Sequence, residues 1–424
     1  MSFDSFASAQ SFFLWSTFIL AFVLGAVANK TNFCTMGAVS DLVNMGDAGR
    51  FRAWILAATT ALIGVVILES LGMVNLSSTQ PPYRASEFMW GRYILGGVLF
   101  GIGMTLASGC GNKTLIRIGG GNIKSIFVFA VIAVIAYYMV DPFKELPSTW
   151  YQSYFAPWLG AASISLATPQ DLGSIAGNLF GASGVMMRII LGAVVALVAL
   201  RYVFKSKDFR SSTENMVAGI SIGLIVLLAW YFTSNATIDT ADGNQSMTEF
   251  YANWEFVMDS EEGKPKNGST QLQSQSFTFI NPIGQMFGYA GSGFASAFMT
   301  FGVVSVLGVV LGSLLLSLVT RSFRFEWFNS FKDFYMHMIG AVLMGFGGVL
   351  GLGCTIGQAI TGVSTLALGS FLVFISIVFG SALTMKIQYY QMVYEEEATF
   401  INALLSSLVD MKLLPAGMRK LDAI

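Results

Sequence analysis

Apolar runs near twenty residues long recur along this chain, too long and too continuous for strands or half-buried helices. About twenty helical residues cross a hydrocarbon layer, and inside that layer every backbone polar group must be satisfied within the protein. Only helices, or a closed barrel with alternating strands, meet that condition. The composition agrees with helices: 54% of the 424 residues are hydrophobic and 11% charged, against about 25% charged in soluble domains. The chain reads as an all-α polytopic membrane protein. Its net charge of −1 gives no footing for nucleic acid.

Nine spans are expected, at about Ser11–Ala28, Ala53–Val74, Tyr93–Ser108, Ser125–Val140, Val185–Phe204, Met216–Phe232, Ala295–Val319, His337–Gly351 and Gly369–Gln388. Two of them share a pattern. Gly96–Cys110 (GGVLFGIGMTLASGC) and Gly340–Cys354 (GAVLMGFGGVLGLGC) agree at eight of fifteen positions, 244 residues apart, with four glycines and the cysteine among the identities. The chain therefore holds a duplicated element, each copy ending in Gly-Cys. The short segment Asn112–Ile118, closed by three glycines, is too short to cross and reads as a half-helix dipping into the protein; a second follows Cys354.

Positive residues mark the cytoplasmic side. Arg50 and Arg52, Lys113 and Lys124, the Arg201–Arg210 cluster, and Arg321 and Arg324 all lie inside in one threading, with the N-terminus outside and the C-terminus cytoplasmic. The two Gly-Cys copies are then antiparallel. Residues 1–141 form an N-terminal membrane half carrying Cys34 and Cys110, 142–213 an outer loop and linker span, and 214–424 a C-terminal half carrying Cys354. Such pseudo-symmetric inverted halves with broken helices are a transporter architecture. An outer loop is expected at about 234–294, acidic through Asp239, Asp242, Glu249, Glu255, Asp259, Glu261 and Glu262; the tail carries Glu395, Glu396 and Glu397. The Cys34 segment has no evident partner in the second half. Glu69 reads as solvated at the interface, and Asp41 and Lys30 as charges that pair with each other or with neighbours.

Three cysteines and one histidine, with no C-x-x-C, argue against a metal or cofactor site. A half-helix after Gly-Cys turns free backbone N–H groups toward the centre, which suits an anion. Asn112, Lys113 and Arg117 stand there in the first copy; Thr355, Gln358, Thr361 and Ser364 stand in the second, with donors but no charge. A polarizable thiol beside them suits a small anion with a sulfur end.

The segments NFCTMGAVSDL, GIGMTLASGCGNKTLIRIGGG and GFGGVLGLGCTIGQAITGVSTLALGS resemble the three cysteine motifs of the YeeE/YedE family of bacterial membrane proteins. The resemblance implies nine transmembrane helices with re-entrant helices, residence in the inner membrane, and uptake of thiosulfate along Cys34, Cys110 and Cys354. It implies no enzymatic step and no cofactor. It also implies a cytoplasmic TusA-like sulfurtransferase partner, expected to be a separate protein because no such domain precedes Ile424. Two alternatives stand beside it: a transporter of another sulfur or selenium compound, and a membrane thiol enzyme that forms a cysteine persulfide.

Overall fold

The computed structural model describes residues 1–240, 243–258, 263–395 and 398–422. Asp242, Asp259, Glu261, Glu262, Glu396 and Glu397 lie outside the described residues. The helices that matter are α1 (Phe6–Lys30), α2 (Thr35–Ser40), α3 (Gly49–Ser70), α4 (Trp90–Leu106), α5 (Gly111–Gly119), α6 (Ile123–Val140) and α7 (Leu172–Phe180). They continue with α8 (Gly184–Phe204), α9 (Thr213–Ser234), α10 (Ile280–Gly291), α11 (Phe301–Val319), α12 (Phe331–Leu350), α13 (Leu368–Tyr394) and α14 (Phe400–Asp410). Among the described residues nine helical segments are long and apolar enough to cross a membrane, as the sequence leads one to expect. Among the described residues strands are confined to one three-stranded and two two-stranded sheets of short strands outside these spans.

Helices α4 and α12 pack antiparallel, because Gly96 meets Gly347 and Leu350 while Gly103 meets Gly340 and Met344. The contact runs through bare backbone: a Cβ on Gly347 would lie 2.4 Å from the Phe100 nitrogen. In lipid, where apolar side chains gain nothing by leaving the solvent, such close approach is what holds helices together. The remaining pairings follow the same pseudo-two-fold. α1 packs on α11 as α9 packs on α3, and α4 on α13 as α12 on α6. α8 falls outside this exchange and leaves most of its surface uncovered, with Leu197 and Val198 about two-thirds exposed (67% and 65%). That exposure fits a lipid-facing linker.

Both copies of the duplicated element stop in the same way. Ser108 and Leu352 each adopt a left-handed φ of 57°. The Gly109 amide then donates back to the Met104 carbonyl, and the Gly353 amide to the Gly348 carbonyl, each at 2.8 Å. This is a helix C-cap that satisfies otherwise stranded carbonyls. A leucine in that region of backbone space is strained, so the stop at Leu352 is held by its surroundings.

Two expectations need correction. The segment 234–294 is not loop throughout: α10 lies within it, buried along one face by Ile280, Ile283, Gly284 and Gly288, and packs on α6. α10 occupies in the second half the place that α2 holds in the first, since α2 packs on α13. The Cys34 turn therefore has a structural partner, the turn before α10. It was hidden because Thr278 and Phe279 stand there with no thiol. Glu69 is not freely solvated either. It accepts from Arg84 (2.5 Å) and Arg188 (2.9 Å), and Arg188 also bonds Asp171 at 2.8 Å.

This charge cluster braces the segment behind Cys354. Arg84 donates to the Thr365 carbonyl at 3.1 Å, and the Asp171 stretch pairs with Leu366–Leu368. Burial alone would raise the Asp171 carboxyl, but the Ser174 hydroxyl and amide together with Arg84 and Arg188 hold it below its ordinary value. A depressed folded-state value means stability that is present above the unfolded value and lost as pH falls through the folded one. The purified protein should accordingly lose thermal stability as pH drops below about 4. Asp171→Asn should melt lower at neutral pH and show a flatter acid limb; an unchanged acid limb would remove Asp171 from that role.

Candidate functional site

Each cysteine caps a short helix in the same manner. Cys34, Cys110 and Cys354 have extended or non-helical backbone just ahead of the helix, and their carbonyls accept the first intrahelical bond from Ala38 (3.0 Å), Thr114 (2.9 Å) and Gln358 (2.9 Å). The short helices are α2, α5 and the tightly buried Ile356–Gly362 π-helix. The position of α5 is fixed from behind. Ser313 of α11 donates to the Ile116 carbonyl of α5 at 2.6 Å, and Asn29 of α1 reaches Ser313 and Ser317.

The thiols are closed off: Cys34 is 5% exposed, Cys110 1% and Cys354 0%. Cys110 lies within electrostatic range of both of the others and so links the three thiols in one row. Arg50 is the neighbour of Cys34 at one end and Tyr83 of Cys354 at the other. The sequence brought these three cysteines forward separately; the fold brings them together.

The polar groups around the row are unusually bare. Thr35 Oγ1, Asn112 Oδ1, Thr278 Oγ1 and Thr355 Oγ1 are all buried with no hydrogen-bond partner. Thr355 faces the Cys110 sulfur, as does the Lys113 amide. Buried polar atoms are almost always paired, by protein or by something bound. Four orphans on the three cysteine turns and the turn before α10 point to a polar guest.

The charged candidates gather at the Cys34 end. Lys113 Nζ donates to Asn32 Oδ1 at 2.5 Å and lies near both Cys34 and Cys110. Arg117 is half-buried beside Gly109 and makes no ion pair among the described residues. Asp41 pairs with Arg50, not with Lys30. Three expected donors have other work. The Gln358 amide donates to the Gly351 carbonyl at 2.7 Å, Thr361 to the Phe277 carbonyl at 2.7 Å, and Ser364 to the Thr361 carbonyl at 2.6 Å. They hold the second half-helix in shape.

One residue was missed. A cavity of about 300 Å³ opens at the Cys354 end, lined by Gly353, Leu352, Gln80, Asn281, Tyr151 and Arg92. Arg92 is 8% exposed, donates to the Val349 and Leu350 carbonyls at 2.9 Å each, and lies over the Tyr151 ring at 4.4 Å. No carboxylate pairs with it among the described residues. It caps the negative end of α12, which offsets only part of its charge. In the sequence it sits at the very edge of a span, where an interfacial arginine is ordinary; the signal is that no acid stands one helical turn from it.

The sequence pattern of the family described as Sulphur transport matches residues 30–383 of the chain. The chain belongs to the sulphur transport family. The resemblance to the YeeE/YedE proteins is thereby borne out, and the match embraces all three cysteine turns and the turn before α10. Two relatives of this sulphur transport protein are named thiosulfate transporter TsuA. The one from Escherichia coli (strain K12) is 25% identical over 348 residues, 81% of this chain and 86% of the relative. The one from Spirochaeta thermophila is 22% identical over 370 residues, 87% of this chain and 97% of the relative.

Proposed function

We propose that this sulphur transport protein takes up thiosulfate, or a closely similar small sulfur anion, across the bacterial inner membrane along the row Cys354, Cys110, Cys34. The observation that carries the reading is the row itself: a buried thiol close to two others, flanked by three unpartnered hydroxyls that can donate, in a family of sulfur transporters. The terminal sulfur of thiosulfate is soft and polarizable, a match for thiols; its sulfonate oxygens want the hydroxyls and amides. Contacts of this kind are firm enough to admit an ion and weak enough to release it.

The anion enters at the cavity, where Arg92 supplies the first positive charge, and leaves past Lys113 and Arg117. With the N-terminus outside, the cavity faces the outer compartment and the two cations face the cytoplasm. A cytoplasmic sulfurtransferase of the TusA-like kind would be a suitable acceptor.

Growth on thiosulfate as sole sulfur source, in a bacterium lacking its own uptake of sulfate and thiosulfate, tests the reading. Cells carrying this protein should grow; a protein that accumulates in the membrane without supporting growth would exclude thiosulfate. Arg92→Gln should raise the half-saturating thiosulfate concentration about tenfold, the worth of one charge-assisted hydrogen bond, with maximal rate largely kept. Initial uptake of labelled thiosulfate measures both. An unchanged half-saturation would take Arg92 out of the entry site.

A further inference from the structure

The pseudo-two-fold places the turn Phe277–Thr278–Phe279 of the second half where the Cys34 turn stands in the first, but the row of thiols does not use it. Thr278 is 5% exposed, and its hydroxyl has no partner. It stands directly against two glycines, one just before Cys354 and one three residues after it: a Cβ on Gly353 would come within 2.8 Å of Thr278 Oγ1, and one on Gly357 within 2.3 Å. Those two positions are bare of side chain where the hydroxyl comes in. The Cys354 sulfur is faced by this same hydroxyl and by the backbone N–H groups of Phe279, Ile356 and Gly357.

The turn is also pinned just ahead of the threonine. Thr361 donates to the Phe277 carbonyl at 2.7 Å, and Ser276 donates to the Val226 carbonyl at 2.9 Å. Two buried hydroxyls thus fix the chain immediately before the threonine, whose own hydroxyl faces the Cys354 sulfur and has no oxygen or nitrogen partner.

We infer that Thr278 is a specificity-determining residue of the anion path, its hydroxyl donating to an oxygen of the substrate while Cys354 contacts the sulfur end. This rests on the transport reading above. The pair reads both ends of one small ion: a thiol for the sulfur, a hydroxyl and amides for the oxyanion. An anion with only one kind of end satisfies only half of it. The unequal turns of the two halves follow from that division, with a sulfur reader at Cys34 and an oxygen reader at Thr278.

The test is uptake of labelled thiosulfate by cells carrying Thr278→Val, Thr278→Ser or Thr278→Cys, with the amount of protein in the membrane measured for each. Thr278→Val keeps the shape and removes the donor. It should raise the half-saturating concentration about tenfold. Thr278→Ser should restore wild-type values, and Thr278→Cys, a weaker donor, should fall between. Wild-type affinity in Thr278→Val overturns the inference, as does an equal defect in Thr278→Val and Thr278→Ser, which would mark a steric role. If Thr278→Val does not reach the membrane, the ordering of Ser above Cys decides; equal affinities there overturn it. A wild-type protein that moves no thiosulfate would instead sink the transport reading itself.

Discussion

Cys110→Ala should abolish growth on thiosulfate while the protein remains in the membrane at normal levels. The thiol is 1% exposed and lies within electrostatic range of both Cys34 and Cys354, so in the proposed path it is the thiol that links the other two. Removing its sulfur leaves an apolar methyl facing Thr355, whose hydroxyl is already without a partner. Each lost contact to a charged ion slows passage by roughly tenfold or more, and the middle position loses contacts to both sides of the transit. Cys354→Ala and Cys34→Ala should be severe but less complete, because each keeps two thiols in sequence. Growth of the Cys110→Ala strain at the wild-type rate would dismiss the cysteine row. Intact mass after exposure to thiosulfate distinguishes transport from chemistry: an added sulfur atom on one cysteine would favour a persulfide-forming protein.

The second large effect is structural. Gly347→Leu should remove folded protein from the membrane altogether. A Cβ there would lie 2.4 Å from the Phe100 nitrogen and 2.8 Å from the Gly96 carbonyl oxygen, and these are backbone atoms of a helix that cannot yield. Overpacking against movable side chains costs about 1–3 kcal/mol; here α4 and α12 would have to separate. Those helices carry Cys110 and Cys354 at their ends, so separation would also break the row. Gly160→Leu is the control, since open space surrounds its Cβ position. Protein level and melting temperature after detergent extraction report on both. Normal levels of Gly347→Leu would mean that this contact does not hold the halves together.

Much of the fold was legible because the membrane simplifies the code. Length and hydropathy give the spans, and the Gly-Cys repeat together with the bias of positive residues gave the antiparallel pair before any contact was known. The cysteines were legible for the same reason. What stayed hidden was everything that depends on pairing in space. Glu69 looks solvated until Arg84 and Arg188 are brought to it. Gln358 and Thr361 look like ligands until their backbone partners appear. The counterpart of the Cys34 turn lay inside a stretch that reads as polar loop, because Asn281, Pro282 and Gly284 mask the helical pattern of α10. Arg92 was passed over because a charge at a span edge is unremarkable until its missing counter-ion is seen.

The burial of the three sulfurs also makes them a clock. A thiol-directed reagent in the surrounding water cannot touch Cys110 while the path is closed, so its labelling rate counts how often the path opens. Each compartment has its own hand on that clock: a reagent confined to one side reports openings toward that side alone. Comparing the two rates, with and without thiosulfate, would show whether the ion opens its own way or waits for a door that moves by itself.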